Sequence, residues 1–295
     1  MPHRLLCVGI LLFWTIAAGL LFTRDFLPTL LLGPPPDLRT ISQADEPAGP
    51  SRWSILAGED DRFVDLRSIG QITTETSRKR DGWVRLTSQA WIDSGELLKL
   101  PLLSQGQAGR ILVWGACEID PSGNLNTFRA SVRFADDPKK EVLTLDGRHR
   151  KDLLEITSRG PIPLLNGNQT VSYRPRGIVQ NTLGPLEKMP GLQVGQKWET
   201  QVFSPLSGSI QSCRVEVTGM QHIVWGSTTV ATLKVVTHMT PMSATTWVRA
   251  SDGLVIRQEL PFPSRVKLLL ERLPDEAQPA NASQSPSGSR GRGRR

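Results

Sequence analysis

Apolar and polar residues alternate with a period of two between Arg52 and Arg272, and Gly, Pro, Asn and Asp interrupt the alternation about every ten residues. Such alternation places the apolar side chains of a strand on one face and the polar side chains on the other. The same region offers no convincing amphipathic helix to cover an apolar sheet face. The pattern therefore predicts an all-β domain built on a large, curved antiparallel sheet.

Two segments show the alternation clearly. In Trp83–Ile92, both tryptophans, Trp83 and Trp91, fall on the face that carries the polar residues, and the other face carries Val84, Leu86, Ala90 and Ile92. In Phe128–Phe134, the apolar residues face inward and the outward positions are Arg129, Ser131 and Arg133. Each predicted strand thus has one face suited to a core and one suited to solvent.

Turn signals divide the pattern into strands. Asp146-Gly147 predicts a tight hairpin, and so does Ser251-Asp252-Gly253. The segment 153–180 is less regular and predicts a joint between two similar halves, and Leu183–Leu192 has room for one short helical turn at most. The predicted strands are Leu66–Ser77, Trp83–Ile92, Arg110–Ile119, Phe128–Phe134, Lys197–Phe203, Ser209–Thr218, Thr229–Met239, Thr245–Ala250, Leu254–Leu260 and Val266–Leu273.

The N-terminus carries an uncharged apolar run, Leu5–Phe22, of 18 residues. A helix of that length is roughly 27 Å long, close to the hydrocarbon thickness of a bilayer. The run predicts a single transmembrane signal anchor, with residues 1–4 in the cytoplasm and the β domain on the extracytoplasmic, periplasmic side. The small residues Ala17-Ala18-Gly19 leave a cleaved signal peptide as the alternative. Both interpretations export the rest of the chain.

The remaining boundaries follow from composition. Residues 23–50 are rich in proline and predict a semi-rigid linker, 51–273 form the exported β domain, and 274–295 form a disordered Ser/Gly/Arg tail. The net charge of +7 includes four arginines within the last six residues. Without them about +3 remains, so the folded part lacks the basic surplus of a nucleic-acid-binding domain, and no nucleic-acid partner is expected.

Motifs for chemistry are absent from the sequence. There is no GxSxG, P-loop, HExxH or GxGxxG sequence, and none of the four histidines has a partner at metal-ligand spacing. We therefore expect no catalytic residue, no metal and no cofactor, with a hydrolase of dispersed site as a remote alternative. Cys117 and Cys213 lie on apolar strand faces, which predicts buried thiols, and a disulfide between them is the alternative.

A more specific pattern spans residues 191–260. It contains Gly191-Leu192, Val194-Gly195 and Trp198, then Cys213–Gly219, then Trp247–Glu259 with its Asp-Gly turn. This order resembles bacterial envelope proteins of unknown function, whose curved antiparallel sheet is similar to that of the lipoprotein-localisation factors LolA and LolB. The resemblance implies an open half-barrel with one concave apolar face, and it implies no catalytic residue.

A half-barrel must cover its apolar face with something, and this leads to the functional expectation. We expect a binding protein that holds an apolar or lipid-like ligand, or a partner segment, against the concave face. The first candidates to line that groove are Trp83, Trp91 and Trp247, although core packing is the alternative for each. A second hypothesis is a structural module of a membrane-anchored envelope complex, in which partner strands add to an open sheet edge.

Overall fold

The computed structural model describes residues 2–21, 49–58, 66–79, 81–93, 109–161, 166–173, 184–204, 209–239, 243–260 and 267–274. One helix, α1, covers Pro2–Leu21. The fourteen strands in chain order are β1 (Ser51–Gly58), β2 (Arg67–Arg78), β3 (Val84–Asp93), β4 (Arg110–Ile119), β5 (Leu125–Phe134), β6 (Asp137–Arg150), β7 (Leu153–Arg159), β8 (Gly167–Ser172), β9 (Lys197–Ser204), β10 (Ser209–Trp225), β11 (Thr228–His238), β12 (Ser243–Arg249), β13 (Val255–Leu260) and β14 (Lys267–Arg272).

All these strands belong to one antiparallel sheet in the order β8-β7-β6-β5-β4-β3-β2-β1-β14-β13-β12-β11-β10-β9. Two meanders, β1–β8 and β9–β14, meet where the first strand pairs with the last, with Trp53 opposite Arg272. No hydrogen-bonded pairing between described strands closes the sheet, although β8 approaches β10. The prediction of an all-β fold with a large, open antiparallel sheet is therefore confirmed.

The sheet curves far enough to bury one face against itself, and we call this the core face. One apolar cluster on this face contains side chains from both meanders, with β1–β3 packed against β9–β14. Its central members are Trp53, Ile55, Ile72, Trp198, Val217, Val235, Val248, Leu268 and Leu270. A second cluster continues the core under β4–β8 and contains Cys117, Leu125, Leu154, Ile156 and Tyr173. Curvature thus replaces the covering helix that the sequence lacks.

Residues 184–196 contain no helix and complete the main cluster. The Met189 N–H donates to the Gly253 carbonyl over 2.7 Å, and the Val255 N–H donates to the Glu187 carbonyl over 3.0 Å. These bonds hold the segment beside β13, so that its apolar side chains pack on the core face: Leu186, Met189 and Leu192.

The opposite face of the sheet, which we call the reverse face, has its own apolar cluster near β10–β14. The sequence predicts a strand end at Thr218, but β10 continues through a bulge between Val217 and Gly219 as far as Trp225. The Trp225 Nε1–H donates to the Arg272 carbonyl over 2.6 Å, which fixes the far end of the β10–β11 hairpin at the end of β14. The hairpin side chains Ile223, Trp225 and Val230 belong to one cluster with Trp247, Ile256 and Leu269.

The predicted hairpin at Asp146-Gly147 is wrong. Both residues lie inside β6, and the chain turns at Lys151 and Asp152, where Lys151 adopts a φ of 56°. Gly147 is required for packing instead, since the Phe128 ring occupies the space that a Cβ at this position would need. A glycine that admits a cross-strand aromatic ring looks the same in sequence as a glycine in a turn.

The N-terminal prediction has a mixed outcome. Residues 2–21 are helical, but no helix in the described part of the chain is long and apolar enough to cross a membrane. The predicted transmembrane span at Leu5–Phe22 is therefore not confirmed. Six large apolar side chains of α1 are exposed: Leu12, Phe13, Trp14, Ile16, Leu20 and Leu21. The predicted linker, apart from residues 49 and 50, and the predicted tail beyond Pro274 lie outside the described residues.

Candidate functional site

Cross-strand register collects polar side chains on the reverse face of β3–β7. One row of directly opposed residues runs Gln89, Trp114, Ser131, Thr144, Arg159. The neighbouring row runs Thr87, Ala116, Arg129, Asp146, Thr157. Residues two apart on one strand share a face, so the two rows form a continuous polar surface with one tryptophan near its centre.

A depression lies in this surface, and we call it the groove. Its floor is made by short side chains, because Ser131 is only 5% exposed and Ala116 only 9% exposed. Longer side chains rise around that floor: Trp114, Arg129, Arg133 and Arg159. The larger part of the groove has a volume of about 950 Å³. A second part of about 540 Å³ shares Trp114, Arg129 and Asp146 with the first.

Ion pairs orient the charged walls. Arg129 Nε lies 2.5 Å from Asp146 Oδ1, and Arg133 Nη2 lies 2.5 Å from Glu141 Oε1. Both pairs are well exposed, so they add little stability and mainly fix side-chain direction. Three arginines and two carboxylates line the larger part, since Arg159 is also there. Among the described residues, no carboxylate forms an ion pair with Arg159, and the larger part carries one net positive charge.

Two carboxyl groups around the groove, those of Glu141 and Glu118, have lowered pKa values. A hydrogen bond from the Thr144 hydroxyl, followed by one from Arg133, lowers the pKa of Glu141. In the smaller part, the Lys79 ammonium donates to Glu118 over 2.8 Å and lowers the pKa of that carboxyl. These groups are acceptors at neutral pH and are poorly suited to donate a proton.

The structure places the three tryptophans predicted to line a groove in separate environments. Trp83 is half-buried and immediately precedes β3, whereas Trp91 lies near the end of that strand on the reverse face. Eight residues of extended chain place their backbones roughly 26 Å apart. The Arg110 guanidinium carbon lies 5.0 Å from the centre of the Trp91 ring. Neither tryptophan is among the residues that line the groove.

Trp247 is a packing residue in the reverse-face cluster near β10–β14. It is 6% exposed, and its Nε1–H donates to Gln221 Oε1 over 3.2 Å. The guanidinium carbon of Arg257 lies 5.9 Å from the ring centre. In the sheet order, β12 with Trp247 lies five strands away from β3 with Trp91. The structure thus does not bring Trp83, Trp91 and Trp247 together.

The groove residue that the sequence did not single out is Trp114. The outward directions of Arg129, Ser131 and Arg133 were visible in the alternation, and the structure confirms them. The sequence did not reveal the register that sets Trp114 opposite Ser131. That register depends on loop lengths and bulges between β4 and β6.

The described residues offer neither a metal site nor a reactive thiol. Within the described ranges, no group of three His, Cys, Asp or Glu side chains could hold a metal ion. Cys117 and Cys213 are buried thiols, as predicted, and they form no disulfide with each other, so that alternative is not supported. Burial raises the pKa of each thiol to about 11. Thiols in this state are poor nucleophiles at neutral pH.

Comparison with known proteins yields a structural similarity but no family. No protein-family model matches the chain, and no curated protein matches it. Among solved structures, it is similar to the crystal structure of a beta-barrel-like protein of a domain of unknown function, DUF1849, from Brucella abortus. That similarity has a TM-score of 0.45 and 9% sequence identity, and it covers 77% of this chain and 98% of the other. The specific likeness to LolA and LolB is not confirmed.

Proposed function

We propose that this chain is a non-catalytic binding protein whose groove holds a polar small molecule. The observation that carries the proposal is the short-sided floor at Ser131 and Ala116, which is walled by Trp114 and by several arginines, three of them in the larger part. A binding site of this kind offers an aromatic surface beside a few fixed polar groups, and its volume is in the range of small-molecule sites.

The groove replaces the apolar concave face as the site of binding. A carrier of lipid-like ligands needs an unfilled apolar surface, but Trp53, Trp198 and Val217 on the core face are at most 1% exposed. The segment 184–196 adds further apolar side chains to the same cluster. A guest would have to displace this packing, at a cost of several kcal/mol for each large side chain removed from it.

A non-catalytic role is supported by the ionisable groups around the groove. Asp146 and Glu141 are engaged by arginines, and the pKa values of Glu141 and Glu118 are lowered rather than raised. General acid catalysis by a carboxyl at neutral pH needs the opposite shift.

The test uses the full chain and its Trp114→Ala variant. Binding is followed by a thermal shift for a panel of polar probes (cellobiose, cellobiouronic acid, adenosine monophosphate, glutamate) and for one apolar probe, anilinonaphthalene sulfonate. We expect at least one polar probe to stabilise the wild type and to lose its effect in Trp114→Ala, whereas Trp91→Ala, the matched control outside the groove, keeps the effect. Binding of the apolar probe alone, unchanged in Trp114→Ala, would refute the proposal and restore the apolar-carrier hypothesis.

A second candidate function is pairing with another strand at the edge of the sheet. β8 has one hydrogen-bonded neighbour among the described strands, and it is exposed and carries no charge or proline. Natural sheets usually protect such edges with Lys, Pro or a bulge. We expect the edge to pair with β8 of a second copy, giving a dimer in sedimentation experiments. Two variants test this dimer, Gln169→Pro and Thr170→Pro. Only one of the two backbone N–H groups points away from β7, so the variant that removes that group should abolish the dimer without loss of stability. A monomer at all concentrations would exclude this function.

We further propose that α1 tethers the β domain to the extracytoplasmic side of a membrane. The support is the uncharged run Leu5–Phe22 together with the exposed apolar side chains of residues 12–21. Protease added to intact spheroplasts should digest the β domain, while the full chain should float with membrane vesicles. Complete protection, or recovery of the full chain free of membranes, would refute the tether. A mature N-terminus near Gly19 would instead identify a cleaved signal peptide.

A further inference from the structure

We infer that the ligand of the groove is an acidic saccharide, with a sugar ring on the Trp114 indole and a carboxylate at Arg159. This inference rests on the proposed function, and it narrows the polar ligand to one chemical class. Three features carry it: the aromatic surface, the hydroxyl and amide groups beside it, and the residual charge.

The aromatic surface comes first. Trp114 is half-buried and lines both parts of the groove, with Gln89 opposite it on β3 and Ser131 opposite it on β5. An indole in a polar setting suits a ligand with one apolar face and a polar rim. The C–H face of a pyranose ring has this character, because its hydroxyl groups point outward from the ring edge.

The polar groups beside the indole match hydroxyl groups. Thr144 donates its hydroxyl proton to Glu141 Oε2 over 2.8 Å, so the Thr144 oxygen can accept from a ligand hydroxyl. The Gln89 amide carries both donors and acceptors, and Ser131 places a hydroxyl on the floor. A ligand that offers several hydroxyl groups can therefore pair with them in either direction.

The net positive charge of the larger part of the groove favours an acidic ligand. The guanidinium groups of Arg129 and Arg133 are engaged by Asp146 and Glu141, which leaves Arg159 as the source of the net positive charge in the larger part. Arg159 stands on β7 opposite Thr144, so it closes the row that begins at Gln89. A planar carboxylate can take two parallel N–H bonds from one guanidinium. A phosphate with close to two negative charges fits less well beside the two acidic residues Glu141 and Asp146.

The test compares two disaccharides that differ in one group. Cellobiouronic acid carries a carboxylate where cellobiose carries a hydroxymethyl group, and adenosine monophosphate serves as the phosphate probe. We expect titration calorimetry on the full chain to show at least tenfold tighter binding of the acid than of cellobiose. Arg159→Gln should remove most of this preference while changing cellobiose affinity less than twofold. Trp114→Phe should weaken both sugars and keep the preference.

The controls are Trp91→Ala and Arg110→Gln, which alter an arginine–tryptophan contact on the same face but outside the groove. They should leave both affinities unchanged. Equal binding of the two disaccharides, tighter binding of adenosine monophosphate, or a preference that survives in Arg159→Gln would overturn the ligand class and leave the groove as a polar site. Failure of every polar probe in the panel would instead refute the proposed function itself.

Discussion

Gly253 shows at the scale of one residue how the turn between β12 and β13 is tied to the segment 184–196. Its φ is 73°, and a Cβ there would lie 2.7 Å from Pro190 Cα and 2.8 Å from the Met189 carbonyl oxygen. Gly191 has a similar φ of 72° but open space around it. We expect Gly253→Ala to lower the free energy of unfolding by about 3 kcal/mol, against about 1 kcal/mol for Gly191→Ala. Denaturant titration of both variants tests this, and equal losses would contradict it.

A second prediction at this scale concerns the reactivity of the two buried thiols. The pKa of Cys117 and of Cys213 is about 11 in the folded chain, above the ordinary value of 9.0. In the Cys7→Ser variant at pH 8, both should resist iodoacetamide until denaturant is added. Because the unfolded chain ionises first, their contribution to stability is complete below pH 9 and is lost as the pH rises to about 11. Rapid alkylation of the native chain would contradict their burial.

At the scale of elements, Glu187 fastens the segment 184–196 to β2. Its carboxylate oxygens accept hydrogen bonds from Thr74 Oγ1 over 2.9 Å and from Thr76 Oγ1 over 3.1 Å. Because Thr74 is buried, losing the acceptor leaves its hydroxyl without compensation. Glu187→Ala should therefore lower the free energy of unfolding by about 2 kcal/mol.

The matched control for that prediction is Glu216→Ala. Glu216 forms an ion pair across two strands, with Lys197 Nζ 3.0 Å from its Oε1, and this pair is partly exposed. We expect this variant to lose less than about 1 kcal/mol. A larger loss for Glu216→Ala than for Glu187→Ala in thermal unfolding would show that the segment is not held as described.

Strands were the most predictable elements. Arg110–Ile119 has the predicted bounds, Leu254–Leu260 differs from the observed strand by one residue at its start, and Thr229–Met239 differs by one residue at each end. Alternation is a local property of each strand, so it can be recognised from the sequence alone. The predicted set lacks β1, β6, β7 and β8. Gly147 was interpreted as a turn, but the structure has a ring contact there, and the predicted strand end at Thr218 is a bulge within β10. Those roles depend on partner strands that the local sequence does not identify.

At the scale of the whole molecule, the site was less predictable than the fold. The sequence predicted an apolar face and a curved sheet, but it could not show that the curvature would bury that face against itself. Trp247 then belongs to a packed cluster under a hairpin, and Trp114 lies at the centre of the groove. Which tryptophan faces a ligand depends on register and curvature, and both result from the pairing of all fourteen strands.

The same topology makes the C-terminal strand essential to the whole sheet. β14 is the last of the described strands, yet it lies between β1 and β13, and its residues Leu268, Leu269 and Leu270 are at most 6% exposed. A chain ending at residue 266 loses both pairings and three buried leucines, each contributing about 2–5 kcal/mol, which together approach or exceed the stability of a typical domain. We expect that chain to show no cooperative thermal unfolding. A chain ending at Pro274, the matched control, should melt with the full-length chain, because β14 and the contact of Pro274 with Gly226 remain. A cooperative transition in the shorter chain at the wild-type temperature would show that the two meanders fold without the β1–β14 seam.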